Sequence, residues 1–291
     1  MILDAHVHVW TRARGDYRWL SPDLGVLWRD VGPDDHETWM RAAGIGDVIL
    51  VQAADSIEET RFLLHVAAEW ERVVGVVGWA PLDAPDADAV IATLAASPDL
   101  VGLRPMLQDL PDDAWCGRPA IDGGLDAMVR HDLTFDALVK PRHLPHLLAL
   151  RDRRPDLRIV VDHAAKPTIL RGARWGGHDA WAEAMARLAS YDRTWCKVSG
   201  LSTEAESGAT DADFAPIIDT LWETFGPDRL IFGSDSPVCD LADGPAVWCE
   251  RVGRWFRNFG PDAAALFDGQ NARRAYPRAR ERTCRSTQPV S

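Results

Sequence analysis

The chain has 291 residues, with 32 Lys and Arg against 44 Asp and Glu, a formal charge of −12. No basic block interrupts this acidic balance, which excludes a nucleic-acid groove, where phosphate contacts carry most of the affinity. An apolar share of 46% with 26% charged residues is ordinary for a globular chain, and this length buries roughly 75% of its unfolded surface without disulfide or metal staples.

The first apolar run, 2–9, reads as a strand that ends in His6 and His8. A long connection, 11–33, leads to a helical pattern at 35–43. Strands at 47–53, 73–80 and 100–104 follow, with helices at 57–71 and 86–96 between them. After a second long connection, 105–120, come helix 121–130, strand 133–139, helix 144–153 and strand 158–163. Connection 164–179, helix 180–190, strand 194–199, connection 200–212, helix 213–225, strand 229–235 and helix 246–259 complete the series. Runs such as VILVQ, VVGVVGW and RLIFGSD are near-continuously apolar, the pattern of parallel strands covered on both faces.

Eight strands alternating with eight helices predict an α/β fold, a single-domain (β/α)8 barrel of the TIM type. A doubly wound sheet would bring a glycine fingerprint after its first strand, and none follows here. A further C-terminal helix over 262–276 closes the domain, which spans 1–276. The polar stretch 277–291 reads as a frayed tail. No apolar run approaches ~18 residues, and the N-terminus lacks a basic region before its apolar stretch, so neither a membrane span nor a secretory signal is expected. Five scattered Cys with no CxxC fit reduced thiols, and a cytoplasmic protein is expected.

Alternation places His6 and His8 on one face at the end of the first strand, which is the barrel mouth. Two imidazoles there bind one metal or polarise one substrate oxygen. His163 ends strand six, with Asp162 expected to point the other way and Lys166 able to reach back over the mouth. Asp235 ends strand eight in FGSDSPV, where it is charged, paired or metal-bound, or caps the following helix. Any one of these is common in a core; three His and an Asp at the ends of strands one, six and eight are far more specific. Arg104 ends strand four and either forks onto a substrate oxygen or pairs with Asp83 or Asp136. Gln52 and Trp79 lie at equivalent depth on strands two and three. His143 and His146 are read as surface or packing residues, and no serine stands in a GxSxG elbow.

The segments DAHVHVW, YRWL, VGLRP, VVDHAAKP, KVSGL and FGSDSPV, in this order, resemble the amidohydrolase superfamily. Within it they are similar to the branch of L-fucono-1,5-lactonases, L-rhamnono-lactonases and pyrone-dicarboxylate lactonases. The resemblance implies hydrolysis of a lactone C–O bond. It makes Asp235 the base for the attacking water, with His6, His8 and His163 polarising the carbonyl directly or through a metal. Arg104 and Lys166 would hold substrate oxygens or the oxyanion. Many metal-dependent members carry a Lys or Glu on strand four and a His on strand five. Here these places read Arg104 and LTFDALVK, which leaves at most one divalent cation, zinc foremost, on His6, His8, His163 and Asp235. Members that work without an essential metal make a metal-free site the alternative.

The resemblance implies a small sugar-acid lactone as partner, and the 13 tryptophans, more than the other aromatics together, fit it, because a flat indole face suits a sugar ring. Trp10, Trp19, Trp28 and Trp79 are placed at the mouth, and Trp19, Trp28, Trp79 and Gln52 join Arg104 and Lys166 as substrate-binding candidates. An aromatic or dicarboxylate lactone would draw further cations from Arg12, Arg14, Arg18 and Arg29. A metal-dependent decarboxylase and a non-catalytic scaffold on the same barrel are the other readings.

Overall fold

The computed structural model describes residues 2–260, 263 and 269–281. Eight parallel strands form one sheet in the order β1 to β8, the (β/α)8 architecture expected from the apolar runs. The strands are β1 (Ile2–Val7), β2 (Ile45–Val51), β3 (Val73–Gly78), β4 (Leu100–Leu103), β5 (Thr134–Ala137), β6 (Ile159–Val161), β7 (Thr194–Val198) and β8 (Leu230–Phe232). The helices between and after them are α1 (Pro33–Ala43), α2 (Ile57–Glu69), α3 (Ala87–Ala95), α4 (Asp122–Arg130), α5 (Leu144–Arg153), α6 (His178–Ala189), α7 (Asp211–Phe225) and α8 (Pro245–Asn258). The strands stop one to three residues before the sequence pattern does, because the site residues beyond them leave the ladder for turns. Asp235 N donates to His6 O at 2.9 Å and His8 N to Ser236 O at 2.8 Å, so the seam between the last and first strands is bonded through the site segments themselves.

Two apolar layers follow from the pleat. One large cluster joins the outward strand residues to the helices. A second, inner one joins Leu3, Ala5, Val51, Val77, Val160, Trp195 and Ile231 to Ala272, Ala275 and Tyr276, so α9 (Gln270–Ala275) plugs the barrel floor. β1 carries a one-residue bulge: Asp4 pairs with Val48 but Val7 with Leu50, three residues against two. The bulge switches the side-chain parity, so Leu3 and Ala5 fill the floor while His6 and His8 still face the mouth above them.

Residues 262 and 264–268 of the expected closing helix, and 282–291 of the expected tail, lie outside the described residues. The described start of that tail is fastened to the barrel: Arg278 donates to the carbonyls of His131, Ala95 and Ser97, and Arg280 to those of Val73 and Ala67. Cys116, Cys196, Cys239 and Cys249 are buried and unpaired, and no described helix is long and apolar enough to cross a membrane.

Candidate active site at the barrel mouth

Asp235 stands at the centre of the mouth. Its Oδ1 lies 3.4 Å from His8 Nε2, 3.6 Å from His6 Nε2 and 3.9 Å from His163 Nε2. Burial pushes its carboxyl up, but His163, His8 and His6 outweigh that and hold it well below the usual carboxylate range. The imidazoles are themselves held from behind. His8 Nδ1 meets the Val51 carbonyl at 2.8 Å and His163 Nδ1 the Ser199 hydroxyl at 2.9 Å, which leaves both Nε2 atoms turned towards Asp235. Burial holds His163 down at about 4 and His6 well below its ordinary value, with Lys197 adding to the effect at His6.

The backbone is bent to bring these groups together. His163, Ala164, Ala165 and Lys166 are all left-handed, with φ between 51° and 61°, and so is Asp235 at 61°. Gly200 passes so close that a Cβ there would lie 2.5 Å from His163 Nδ1. Gly233 likewise packs against His6, with 2.7 Å to its Cβ. These bends correct one expectation. Asp162 does not point away from His163: it keeps the inward parity of Val160, and the left-handed turn at His163 then swings the imidazole inwards too. Asp162 is fully buried beside His6, with its Oδ1 at 3.6 Å from His6 Nδ1.

Beneath the imidazoles lies a charged layer that sequence reasoning missed. Lys197 Nζ sits 2.6 Å from Asp136 Oδ2, 3.0 Å from Asp162 Oδ1 and 3.3 Å from His6 Nδ1, all without solvent exposure. Tyr276, from the closing segment, donates its hydroxyl to Asp136 at 2.7 Å. Burial raises Asp136 to about 6, whereas Lys197, His6 and Arg104 overcome the same burial at Asp162 and hold it down. The available signal was parity: Asp136 and Lys197 are the only charged residues inside the apolar runs FDALV and TWCKV.

Arg104 turns inward at the end of β4. Its guanidinium reaches His6 Nε2 at 3.3 Å, Asp162 Oδ2 at 3.4 Å and the Gln52 carbonyl. Gln52 Nε2 in turn donates a hydrogen bond to Arg104 O at 2.7 Å. It is fully buried outside the cleft lining, so it braces Arg104 where it was expected to touch substrate. The cleft above Asp235 encloses about 600 Å³, including its open mouth, and its walls include Trp19, Arg104, Met106, Asp109, His163 and Lys166. Lys166 pairs with Glu204 at 3.3 Å.

Of the four tryptophans expected at the mouth, only Trp19 lines the cleft. Its indole N–H is committed to Ala53 O at 2.7 Å, so it offers a ligand carbon surface. Trp10 is buried under the first loop, with its N–H on Arg29 O, because that loop needs a small core of its own. Trp28 is exposed on the loop beneath the Arg12 guanidinium and Trp79 is half-buried, and neither lines this cleft.

The loop that carries Trp19 is tied down by Glu59, the third residue of α2. Its carboxyl accepts from Ala53 N at 3.0 Å and from the Tyr17 hydroxyl at 2.7 Å, and burial raises it to about 7. An acid raised in the folded state binds its proton better there, so the stability it adds is full below its ordinary value of 4.5 and lost as pH rises through about 7. The thermal midpoint of the wild-type chain is expected to fall by several degrees more than that of Glu59→Gln between pH 5 and pH 8. Parallel shifts of the two proteins in thermal unfolding would disprove it.

The donor set also fits a metal. His6, His8 and Asp235 offer ligand atoms within 4.8 Å of one another, as do His6, Asp162 and His163. Imidazole nitrogens fixed by partners on their far side, with one carboxylate, suit a zinc-like divalent cation. The Arg104 guanidinium lies 3.3 Å from His6 Nε2, so a cation held by that nitrogen would take the place of this contact.

Parallel strands closed at a seam of His and Asp, with a cleft over the strand ends, define a (β/α)8-barrel enzyme. The chain belongs to the amidohydrolase family: the model described as "Amidohydrolase" matches residues 3–278. A curated L-fucono-1,5-lactonase of Burkholderia ambifaria is 45% identical over 276 residues, 93% of each chain. That of Burkholderia multivorans is 36% identical over 93% of this chain and 94% of its own. A crystal structure of an amidohydrolase from Burkholderia multivorans with bound Zn superposes with a TM-score of 0.87 at 34% identity, covering 95% of this chain and 99% of that one.

Proposed function

We propose that the protein hydrolyses an uncharged sugar-acid lactone of the L-fucono-1,5-lactone kind. The observation that carries this reading is the 45% identity to an L-fucono-1,5-lactonase, joined to a mouth with one carboxylate among three imidazoles and two cations on its walls. Charge accounting favours a neutral ring over a dicarboxylate one. Each loop arginine that could have met a second carboxylate is already paired: Arg12 with Asp30, Arg14 with Asp16, Arg18 with Asp55 and Arg29 with Asp35. None of the four lines the cleft.

In this mechanism Asp235 takes a proton from water as its oxygen adds to the lactone carbonyl. A carboxylate held this low is a weak base, so attack depends on a strongly polarised carbonyl. Arg104 and Lys166 supply that polarisation and receive the developing oxyanion. The proton held at Asp235 then passes to the ring oxygen as the C–O bond breaks. A zinc-like cation, when bound by His6, His8, His163 and Asp235, would supply Lewis acidity at the same carbonyl. The indole face of Trp19 packs against the apolar face of the ring.

A panel of aldonolactones with a pH indicator tests the reading. Opening of at least one neutral aldonolactone well above the buffer blank is expected, and Trp19→Ala should raise KM about tenfold with a smaller change in kcat, since it removes ring contact present before and during reaction. No opening of any member above the blank overturns it.

A further inference from the structure

We propose that Glu204 is a positioning residue that neutralises Lys166, so that the mouth accepts an uncharged lactone and releases the anionic acid it becomes. The inference rests on the lactonase reading. Hydrolysis adds water across the acyl C–O bond of a neutral ring. The resulting acid then loses one proton to solvent, leaving a carboxylate beside Arg104 and Lys166. Two uncompensated cations in a half-closed cleft would grip that carboxylate far better than the substrate.

The structure compensates both in advance. Arg104 meets Asp162 at 3.4 Å, and Lys166 meets Glu204 Oε1 at 3.3 Å. Asp235 and Asp109 add negative charge to the lining itself. Glu204 is three-quarters buried and outside the lining, so it acts through Lys166. Its position is built from the backbone. The turn that begins at Gly200, packed under His163, continues into the short helix Ser202–Glu204. Ile169 N donates to Glu204 O at 3.1 Å and Glu206 N to Ile169 O at 2.9 Å, which ties this turn to the loop carrying Lys166. These main-chain bonds do not need the Glu204 side chain, so Glu204→Gln leaves the brace in place while removing the charge.

The test compares the full-length wild-type chain, Glu204→Gln and Glu204→Asp on a neutral aldonolactone, with the corresponding aldonate as inhibitor. In Glu204→Gln the aldonate should inhibit about three- to tenfold more tightly, as expected for releasing one partly buried ion pair. KM for the neutral lactone should stay within about twofold, and Glu204→Asp should inhibit like wild type. The ratio of kcat/KM for a carboxylate-bearing lactone over a neutral one should rise in Glu204→Gln. An unchanged inhibition constant, or substrate and product binding weakened together as in a structural lesion, overturns the proposal. A wild-type chain that opens no neutral aldonolactone refutes the lactonase reading instead.

Discussion

Replacing Asp235 by Asn is expected to lower kcat for lactone opening by ~10²–10⁴-fold, the range associated with loss of a positioned general base. Asn keeps the size of the side chain and the left-handed backbone at this position, since Asn is among the residues that tolerate it. What it removes is the negative charge that three imidazoles face at 3.4, 3.6 and 3.9 Å. The loss should therefore fall on kcat, with KM little changed, because Asp235 acts on the attacking water and then on the departing ring oxygen, contacts made during reaction and not in ground-state binding. Initial rates with a pH indicator, alongside circular dichroism to confirm the fold, provide the check. A variant that retains more than a tenth of the wild-type kcat would remove Asp235 from the proton transfer.

The largest effect on stability is expected from Lys197→Met. The side chain is fully buried and lies within 3.0 Å of two carboxylates, so its loss strands Asp136 and leaves Asp162 with Arg104 as its remaining cation. Breaking a buried pair from one side costs about 3–5 kcal/mol, which for a chain of this size lowers the melting temperature by on the order of 10 °C. The double variant Lys197→Met with Asp136→Asn should recover part of the loss, because the stranded charge is gone. Tyr276→Phe, which removes a single hydrogen bond to Asp136, should cost only about 1 kcal/mol. Should the single and double variants melt together, the penalty would belong to packing and not to charge.

The barrel was legible because parallel strands buried on both faces must be apolar along their length, and runs such as VILVQ and RLIFGSD have no other economical explanation. His6, His8, Arg104, His163 and Asp235 were legible because each ends such a run, and Lys166 because it follows His163 by three residues. Asp136 and Lys197 were harder. They sit inside runs, and which face of a strand looks into the barrel depends on bulges that sequence alternation cannot register. The bulge in β1 and the left-handed turn at His163 are of that kind, and the second is what misplaced Asp162. The tryptophans were misjudged for another reason. Nearness in sequence to the mouth says nothing about whether a long loop needs its own core, and the first loop used Trp10, Tyr17 and Leu27 to make one.

The seam has a consequence for how this enzyme comes into being during synthesis. Asp4 accepts a bond from Ser234 across 230 residues of chain, and the Asp235 and His6 backbones are joined at the same place. At ribosomal speeds of about 5–20 residues per second, the first strand must wait roughly 10–50 s for its last partner to be made. Until then the ring is open, His6 and His8 have no carboxylate opposite them, and no fragment ending before Asp235 holds the constellation. A nascent chain therefore cannot act before Asp235 has been made and the seam has closed.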